Sequence, residues 1–478
     1  MSKKDKELRQ QVACEWLEQN YLNWGHLRHD IVTDRLQIRC ADSTGEEAIR
    51  RGGERQERWR NLTDKDINTM VCNCVAESQV NINLSEMWTA LKSDIVPSVH
   101  PIRAWLDGLP PYTPDQPDWI DWVASQVTVK PSLLSDDRPK GLLDRTSCCE
   151  TTCSTPKSHE LFQGPRTLRD RTEGAERPME SLSEACERSK ADRLWRGCFK
   201  KWFVAMVASW MKDEVVNHQV LVLIGKQGIF KTTWLEHLIP PHLRAYACKL
   251  ANSNDLNKDE RLRIAEFGLI SLDEIDSMNN RELNQLKSVI TATDVNERAA
   301  YAYTKERRVR LASFCASGNR RDFLTDITGN RRWLPFEVES IQNPFYTLLP
   351  YERMYAQAWA LAQDPLFSYW FDLDEIEVLE EHNQHFRDEN NEEQLLPILF
   401  DVPAEGKGEF MTTAQISERL VTYGNIKKPM ALSRLGMVLG AAGYQSTRPK
   451  IGGRLIRGWL VYQRDTDEIA SLKRLLKE

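Results

Sequence analysis

The run Val220 to Trp234, VLVLIGKQGIFKTTW, constrains this chain more than any other, because five apolar residues lead directly into a glycine-punctuated loop that ends in Lys-Thr-Thr. A short apolar run closed by glycine reads as a buried strand. The glycines then let the backbone fold back so that successive N–H groups point inward at phosphate oxygens, while a lysine reaches the outer ones. Gly225, Gly228, Lys231 and Thr232 stand at positions one, four, seven and eight of such a loop, and Lys226, Gln227 and Thr233 complete the expected ATP-binding set. Thr232 is expected to hold a magnesium ion through its hydroxyl. One position departs from the pattern, since Phe230 stands where the second glycine belongs.

A second expected strand, Phe267 to Ile275 (FGLISLDEI), carries Asp273 and Glu274 at its end, with Asp273 lying 42 residues beyond Lys231. In a P-loop ATPase an aspartate at this place faces the loop threonine across the metal, and the adjoining glutamate activates the attacking water. Asp273 is therefore the second metal ligand beside Thr232, and Glu274 the candidate base. A third expected strand, Val309 to Ser317, runs into Gly318-Asn319-Arg320, where Asn319 would reach between the other two strands and orient the water. Beyond it, TGNRRW offers Arg331 and Arg332 as guanidiniums for a phosphate across a subunit boundary. Taken singly, each feature has an ordinary structural explanation: a strand–helix turn, a solvated strand end, a turn asparagine, a surface arginine pair. Their joint order between Gly225 and Arg332 is what selects a central α/β P-loop ATPase domain.

The strings GKQGIFKTTW, LISLDEID, LKSVITATDVNERAAY, FCASGNRRDFL and DITGNRRWLPFEV together resemble the virulence-associated protein E family, whose members are superfamily 3-like, AAA+-type helicases of phages and mobile elements. The resemblance runs from about Trp202 to Phe336, and a weaker likeness extends upstream through VPSVHPIRAWLDGLPPY and DWIDWVASQV. It implies an ATP-driven DNA helicase or translocase that works as a ring, with a hexamer as the expected form. Leu286 to Arg310 reads as a helix followed by a hairpin with basic tips, and in ring helicases of this type the equivalent hairpin faces the central pore. Lys305, Arg307 and Arg308 are then candidates for gripping a DNA backbone, with Tyr301 or Tyr303 for stacking. A solvated charged hairpin is the alternative reading. Lys287 on the preceding helix is a further residue that could face a neighbouring subunit's nucleotide.

Composition bounds the rest. A chain of 478 residues with 41% hydrophobic content is long enough for several domains with ordinary buried cores. No apolar run approaches the roughly 18 residues that span a bilayer, and MSKKDKELRQ lacks the apolar stretch of a signal peptide. Eleven irregularly spaced cysteines make no disulfide framework, so the expected compartment is the reducing cytoplasm, with no membrane partner. Cys148, Cys149 and Cys153 near His159 lack the paired spacing of a zinc site.

The net charge of −6 hides an uneven distribution. Phe371 to Gln394 is heavily acidic and reads as a solvated helix leading to a connector, whereas Val421 to Arg464 holds Lys427, Lys428, Arg434, Arg448, Lys450, Arg454, Arg457 and Arg464 with no Asp or Glu. Within the basic segment Thr412-Thr413 can cap a helix through Val421, a second helix is expected over Lys428 to Ala442, and Tyr444 to Gln463 alternates as a hairpin turning at Gly452-Gly453. Two helices and a basic hairpin suggest a winged helix, with Arg434 and its neighbours approaching a groove of duplex DNA, Lys450 and Arg454 on the wing contacting phosphates, and Arg448 a further candidate DNA contact. A small packing domain with ordinary surface cations is the alternative.

The expected organisation is an N-terminal accessory domain over 1–130, mostly helical with a short hairpin within Ile31 to Cys40; a linker or mobile insertion over 131–190; the P-loop ATPase domain over 191–365; an acidic helical connector over 366–408; and a winged-helix-like DNA-binding domain over 409–478. Tryptophans in Asp192 to Met211 are expected to pack beneath the ATPase sheet. The N-terminal region shows no acidic triad for nucleotide polymerisation, so any primase would be a separate protein. The functional expectation is an ATP- and magnesium-dependent helicase acting on single-stranded DNA in the replication of a phage or mobile element. A nucleotide-gated initiator or regulatory switch that does not unwind DNA is the alternative, and a small-molecule kinase leaves the double arginine and basic tail without a task.

Overall fold

The computed structural model describes residues 3–40, 59–131, 182–250, 263–278, 280–297, 306–324, 330–387, 391–403, 408–424, 426, 429–465 and 467–469. The chain forms two compact units, one of Met1–Asn319 with Phe336–Glu375 and one of Arg320–Pro335 with Ile376–Glu478. No described helix is long and apolar enough to cross a membrane. The described cysteines are free thiols.

The first unit opens with helix α1 (Lys3–Leu17), the hairpin β1 (Leu27–Asp30) and β2 (Arg35–Arg39), strand β3 (Trp59–Asn61), helices α2 (Asp64–Ser78) and α3 (Leu84–Leu91), and strand β4 (Ser98–Val99). The hairpin starts ahead of the expected Ile31 because buried Asp30 closes the turn, accepting from the Val32 amide at 2.9 Å and the Thr33 hydroxyl at 2.8 Å. Reciprocal capping boxes start both helices, Thr63 with Asp66 and Asn83 with Glu86, each satisfying amides left without partners in a first turn. Trp16, Leu17, Ile67, Met70, Met87 and Leu91 form the core here.

Short helices α4 (Pro101–Asp107) and α5 (Trp119–Ala124) and strand β5 (Val127–Val129) follow, then the long helix α6 (Leu182–Met211). The main sheet is built from β6 (Val220–Ile224), β7 (Ala247–Leu250), β8 (Leu269–Leu272), β11 (Ser313–Gly318) and β12 (Trp333–Ile341), with helices α7 (Lys231–His237), α8 (Asn280–Thr291) and α9 (Tyr351–Gln363) and a separate antiparallel pair, β9 (Asp294–Glu297) and β10 (Glu306–Val309). Its order is β5-β12-β6-β11-β8-β7. Strands β6, β11, β8 and β7 run parallel, and β5 closes the other edge antiparallel to β12. The fold is thus mixed α/β around a largely parallel sheet. Every residue of β6, β8 and β11 is buried, as a sheet covered on both faces requires. The tryptophans of α6 are buried with it: Trp202 donates to the Phe314 carbonyl at 3.1 Å and Trp210 to the Gly268 carbonyl at 3.0 Å, at the starts of β11 and β8.

Sequence reading runs the third strand from Val309, but Val309 belongs to β10, and the chain turns through Arg310 before β11 begins. Arg310 is wholly buried without a carboxylate among its bonded partners. Its guanidinium donates to the carbonyls of Asn217 at 2.9 Å, Ala312 at 3.0 Å and Ala292 at 3.2 Å, and to that of Ile290 in the last turn of α8. Burial draws its pKa down to about 9. Five donors in a planar fork satisfy carbonyls that an ammonium cannot reach together. Arg310→Met is therefore expected to destabilise the first unit by about 3 kcal/mol or more, leaving several buried acceptors unmet, with Arg310→Lys recovering little of it in chemical denaturation.

The second unit contains most of helix α10 (Leu373–Gln384), which begins in the first, then α11 (Asn391–Leu399), strands β13 (Phe400–Asp401) and β14 (Glu409–Met411), helices α12 (Thr413–Gly424) and α13 (Leu432–Ala441), and strands β15 (Gln445–Thr447), β16 (Lys450–Ile451), β17 (Arg454–Leu455) and β18 (Gly458–Gln463). The acidic segment is not the solvated connector that its charge suggests. Glu375 is buried and bonds the Lys201 ammonium at 2.6 and 2.7 Å, while Leu379, His382 and Asn383 are buried further along α10. Thr412 caps α12 as expected, accepting from the Gln415 amide at 3.3 Å. The expected second helix starts at Leu432 instead of Lys428, and Lys427 and Lys428 lie outside the described residues. Central β18 pairs with β13, β14 and β15, and the small β16–β17 ladder turns at Gly452 and Gly453, both with positive φ (58° and 82°), which glycine accepts without strain. Trp459, Leu435, Leu439, Ile416 and Leu420 fill this core.

Two histidines tie folding to pH. His100 accepts the Arg103 amide on Nδ1 at 3.2 Å to cap α4, and His382 Nε2–H donates to the Pro335 carbonyl at 2.6 Å. Burial first, with nearby Arg103 adding to it at His100, lowers both from 6.5 to about 4. The unfolded chain binds these protons near pH 6.5 and the folded chain only near 4, so their contribution is complete above 6.5 and is lost as pH falls toward 4. Denaturation midpoints are expected to fall across this window. His100→Asn, which keeps a capping acceptor and removes a titrating group, should shrink the fall.

Candidate nucleotide-binding site

The carboxyl ends of β6, β8 and β11 meet at one edge of the first unit, where open parallel sheets leave a crevice for ligands. β11 lies between β6 and β8, with Gly318 opposite Ile224 and Ala316 opposite Leu272. This register brings the ends of all three strands into side-chain contact. Lys231, only 7% exposed, donates from Nζ to the carbonyls of Gly225 at 2.8 Å and Lys226 at 2.7 Å and to Asn319 Oδ1 at 3.3 Å. The Thr232 hydroxyl donates to Asp273 Oδ1 at 3.2 Å and lies 2.8 Å from the Ser317 hydroxyl, which donates to the same carboxylate oxygen at 2.8 Å. The Asn319 amide donates to Asp276 Oδ1 at 3.2 Å.

Lys231, Thr232, Asp273 and Asn319 are thus brought together. Gly225 is buried, Lys226, Gln227 and Gly228 are exposed, and Thr233 is half-buried, its carbonyl accepting from His237 at 2.7 Å. Glu274 is exposed beside Asp273 in a left-handed backbone conformation (φ 52°), its carbonyl accepting from the Ser277 hydroxyl at 2.7 Å. Arg331 and Arg332 belong to the second unit, on a single turn, Asn330–Arg332, held there by Asn383, whose amide donates to the carbonyls of Asn330 at 2.9 Å and Trp333 at 3.0 Å.

Charge in the cluster is balanced by residues that sequence reading passes over. Lys249, at the end of β7, lies 2.8 Å from Asp273 Oδ2 and 3.9 Å from Glu236. Burial raises the Asp273 pKa, but hydrogen bonds from Lys249, Ser317 and Thr232 outweigh it and hold the carboxyl below its ordinary value. For Lys231 burial prevails, lowering its pKa against the attraction of Asp276 and Asp273. The signal for Asp276 is present in LISLDEID as a third acidic residue; Lys249 and Ser317 sit in ordinary strand sequence and become visible only when β7 and β11 flank β8.

The loop carries its irregularity at Phe230, whose φ of 66° is the left-handed conformation that a glycine at this position would take freely. Its ring lies edge to face with Phe345 at 6.4 Å. At the loop's other end a methyl on Gly225 would stand 2.7 Å from the Val338 carbonyl oxygen. A β-branched side chain suits a left-handed residue least. Phe230→Val is therefore expected to be less stable than Phe230→Gly by about 1–2 kcal/mol, read from denaturation midpoints, and Gly225→Ala should be destabilised by its backbone clash.

The expected DNA contacts are divided by the structure. Lys305, Tyr301 and Tyr303 lie outside the described residues, and Arg307 lies on β10. Arg308 is committed internally, 3.0 Å from Asp34 of the N-terminal hairpin and 3.8 Å from Glu266. Lys287 is on α8. In the second unit Arg434 pairs with Glu393 at 3.4 Å, whereas Arg448, Lys450 and Arg454 are exposed on the hairpin.

These features define a mixed α/β protein with a polar site at the carboxyl ends of its parallel strands. Residues 170–394 match the family model of the virulence-associated protein E-like domain. The chain carries that domain, as its motifs indicate. No curated protein matches the sequence. Among solved structures, it is similar to the A-form apo structure of the NrS-1 C-terminal region (305–718), at 11% identity and a TM-score of 0.36 over 94% of this chain and 99% of that one. A second apo structure of the same region gives 10% identity and a TM-score of 0.35 over 91% and 96%.

Proposed function

We propose that the protein is a P-loop ATPase of the AAA+, superfamily 3 helicase type, which couples ATP hydrolysis to movement on DNA in the replication of a phage or mobile element. The observation that carries this reading is the convergence of Lys231, Thr232, Asp273 and Asn319 at adjacent strand ends, with β11 between the loop strand and the acidic strand. Oxygen donors from a threonine, a serine and one aspartate suit magnesium, which takes one or two carboxylates and completes its shell with water and phosphate. When bound, the metal would neutralise charge on the β- and γ-phosphates.

In this reading Gly225 to Thr233 wraps the phosphates, and Lys231 exchanges its carbonyl partners for phosphate oxygens. Thr232 and Asp273 hold the metal. Glu274 accepts a proton from the attacking water, which Asn319 positions against the γ-phosphate. Arg331 or Arg332 of a neighbouring copy stabilises charge on the transferred group, so the working form is a ring, with six copies expected. Lys305 and Arg307 grip a single strand, and the exposed cations of the C-terminal hairpin contact duplex phosphates as the wing of a winged helix. Priming falls to a separate protein. A nucleotide-gated switch without unwinding is favoured by one observation, the left-handed Phe230 in the loop, which suits slow turnover.

Wild-type protein is expected to hydrolyse ATP faster with single-stranded DNA than without. Lys231→Ala should abolish turnover, and an Arg331→Ala/Arg332→Ala variant mixed into wild type should poison it more than in proportion. Strand displacement coupled to turnover supports the motor. Tight ATP binding with no DNA-stimulated turnover would remove it in favour of the switch.

A further inference from the structure

The metal-side carboxylate already has a cation on it. Asp273 Oδ1 accepts from Thr232 at 3.2 Å and Ser317 at 2.8 Å, and Oδ2 is held by the Lys249 ammonium at 2.8 Å. Lys249 reaches across from β7, the strand beside β8, so the contact follows from strand order and not from nearness in sequence. A second carboxylate stands close: Glu236, in the last turn of α7, lies 3.9 Å from the same nitrogen. Lys249 and Glu236 are each nearly half exposed, at 46% and 48%, which leaves both side chains room to change rotamer.

We propose that Lys249 is a positioning residue that stands in for the divalent cation on Asp273 and passes to Glu236 when the carboxylate takes up magnesium with the nucleotide. The proposal rests on the ATP-site reading above. Two cations on one carboxylate repel, and the lysine has a long stem with free rotation, so it leaves while Asp273, fixed at the strand end, stays. Glu236 is the acceptor because it is already within reach and lies on the helix that follows the phosphate loop. The exchange trades the ion pair with Asp273 for a closer one with Glu236, and so reports metal occupancy to α7.

Competition of this kind has a measurable sign. A site held mostly in a metal-excluding arrangement shows an apparent affinity lowered by the fraction that is competent. Binding of a fluorescent ATP analogue would be followed while magnesium is titrated from a chelated start, in wild type, Lys249→Met, Lys249→Arg, Glu236→Gln and Lys231→Ala. Lys249→Met should reach half-maximal response at magnesium concentrations about fivefold lower than wild type. Lys249→Arg, which keeps a cation on Asp273, should stay near wild type, and Glu236→Gln, which removes the receiving carboxylate, should need more magnesium. Equal magnesium midpoints in wild type and Lys249→Met would overturn the proposal while leaving the ATP site standing. So would a Lys249→Met variant that loses metal-free nucleotide binding, since the lysine would then be a phosphate contact. A wild type that binds the analogue no better than Lys231→Ala would remove the ATP-site reading and this proposal with it.

Discussion

The register of three parallel strands is the constraint on which the site depends. Gly318 sits opposite Ile224 and Ala316 opposite Leu272, so Ser317 reaches Asp273, and Asn319 reaches Lys231. A slip of one residue would turn every side chain of β11 to the other face and dissolve the cluster. Buried apolar strands set this register poorly by themselves, because neither face is marked by polarity. The anchors are specific polar contacts at the strand starts: Trp202 on the Phe314 carbonyl, Trp210 on the Gly268 carbonyl, and Asn217 bridging the Trp202 carbonyl and the Ser313 hydroxyl, each at 3.2 Å or less.

Arg310 serves the same end from the other side of β11. The chain must leave a hairpin strand and enter the central strand within three residues, and the carbonyls left by that turn and by the end of α8 need donors. One guanidinium answers them. The result is a rigid floor beneath a polar rim. At the rim, by contrast, the balance is electrostatic: Lys249 faces Asp273 and Glu236, partly exposed groups whose partners can be exchanged at small cost, while buried Lys231 is attracted by Asp276 and Asp273.

Legibility in sequence followed the locality of each interaction. The phosphate-loop spacing, the acidic pair and the asparagine strand end were readable because each is a contiguous string, and α12 and the Gly452-Gly453 turn were readable because caps and turns act within four residues. Charge alone misled twice. The acidic segment at Phe371 to Gln394 reads as solvated, yet Glu375 is buried on Lys201, an ion pair spanning 174 positions. Arg308 reads as a free hairpin cation, yet it pairs with Asp34 from the N-terminal hairpin.

The sequence by itself determined that a loop with phosphate-binding spacing exists, which carboxylates and asparagine accompany it, and that a virulence-associated protein E-like domain is present, because those features are written in short-range order and backbone geometry. Only the tertiary structure decided that β11 lies between β6 and β8, that Ser317 and Lys249 complete the surroundings of Asp273, and that Arg310 is structural. Strand order, and the identity of the cation facing a given carboxylate, are fixed by packing between residues far apart in the chain, for which no local pattern exists.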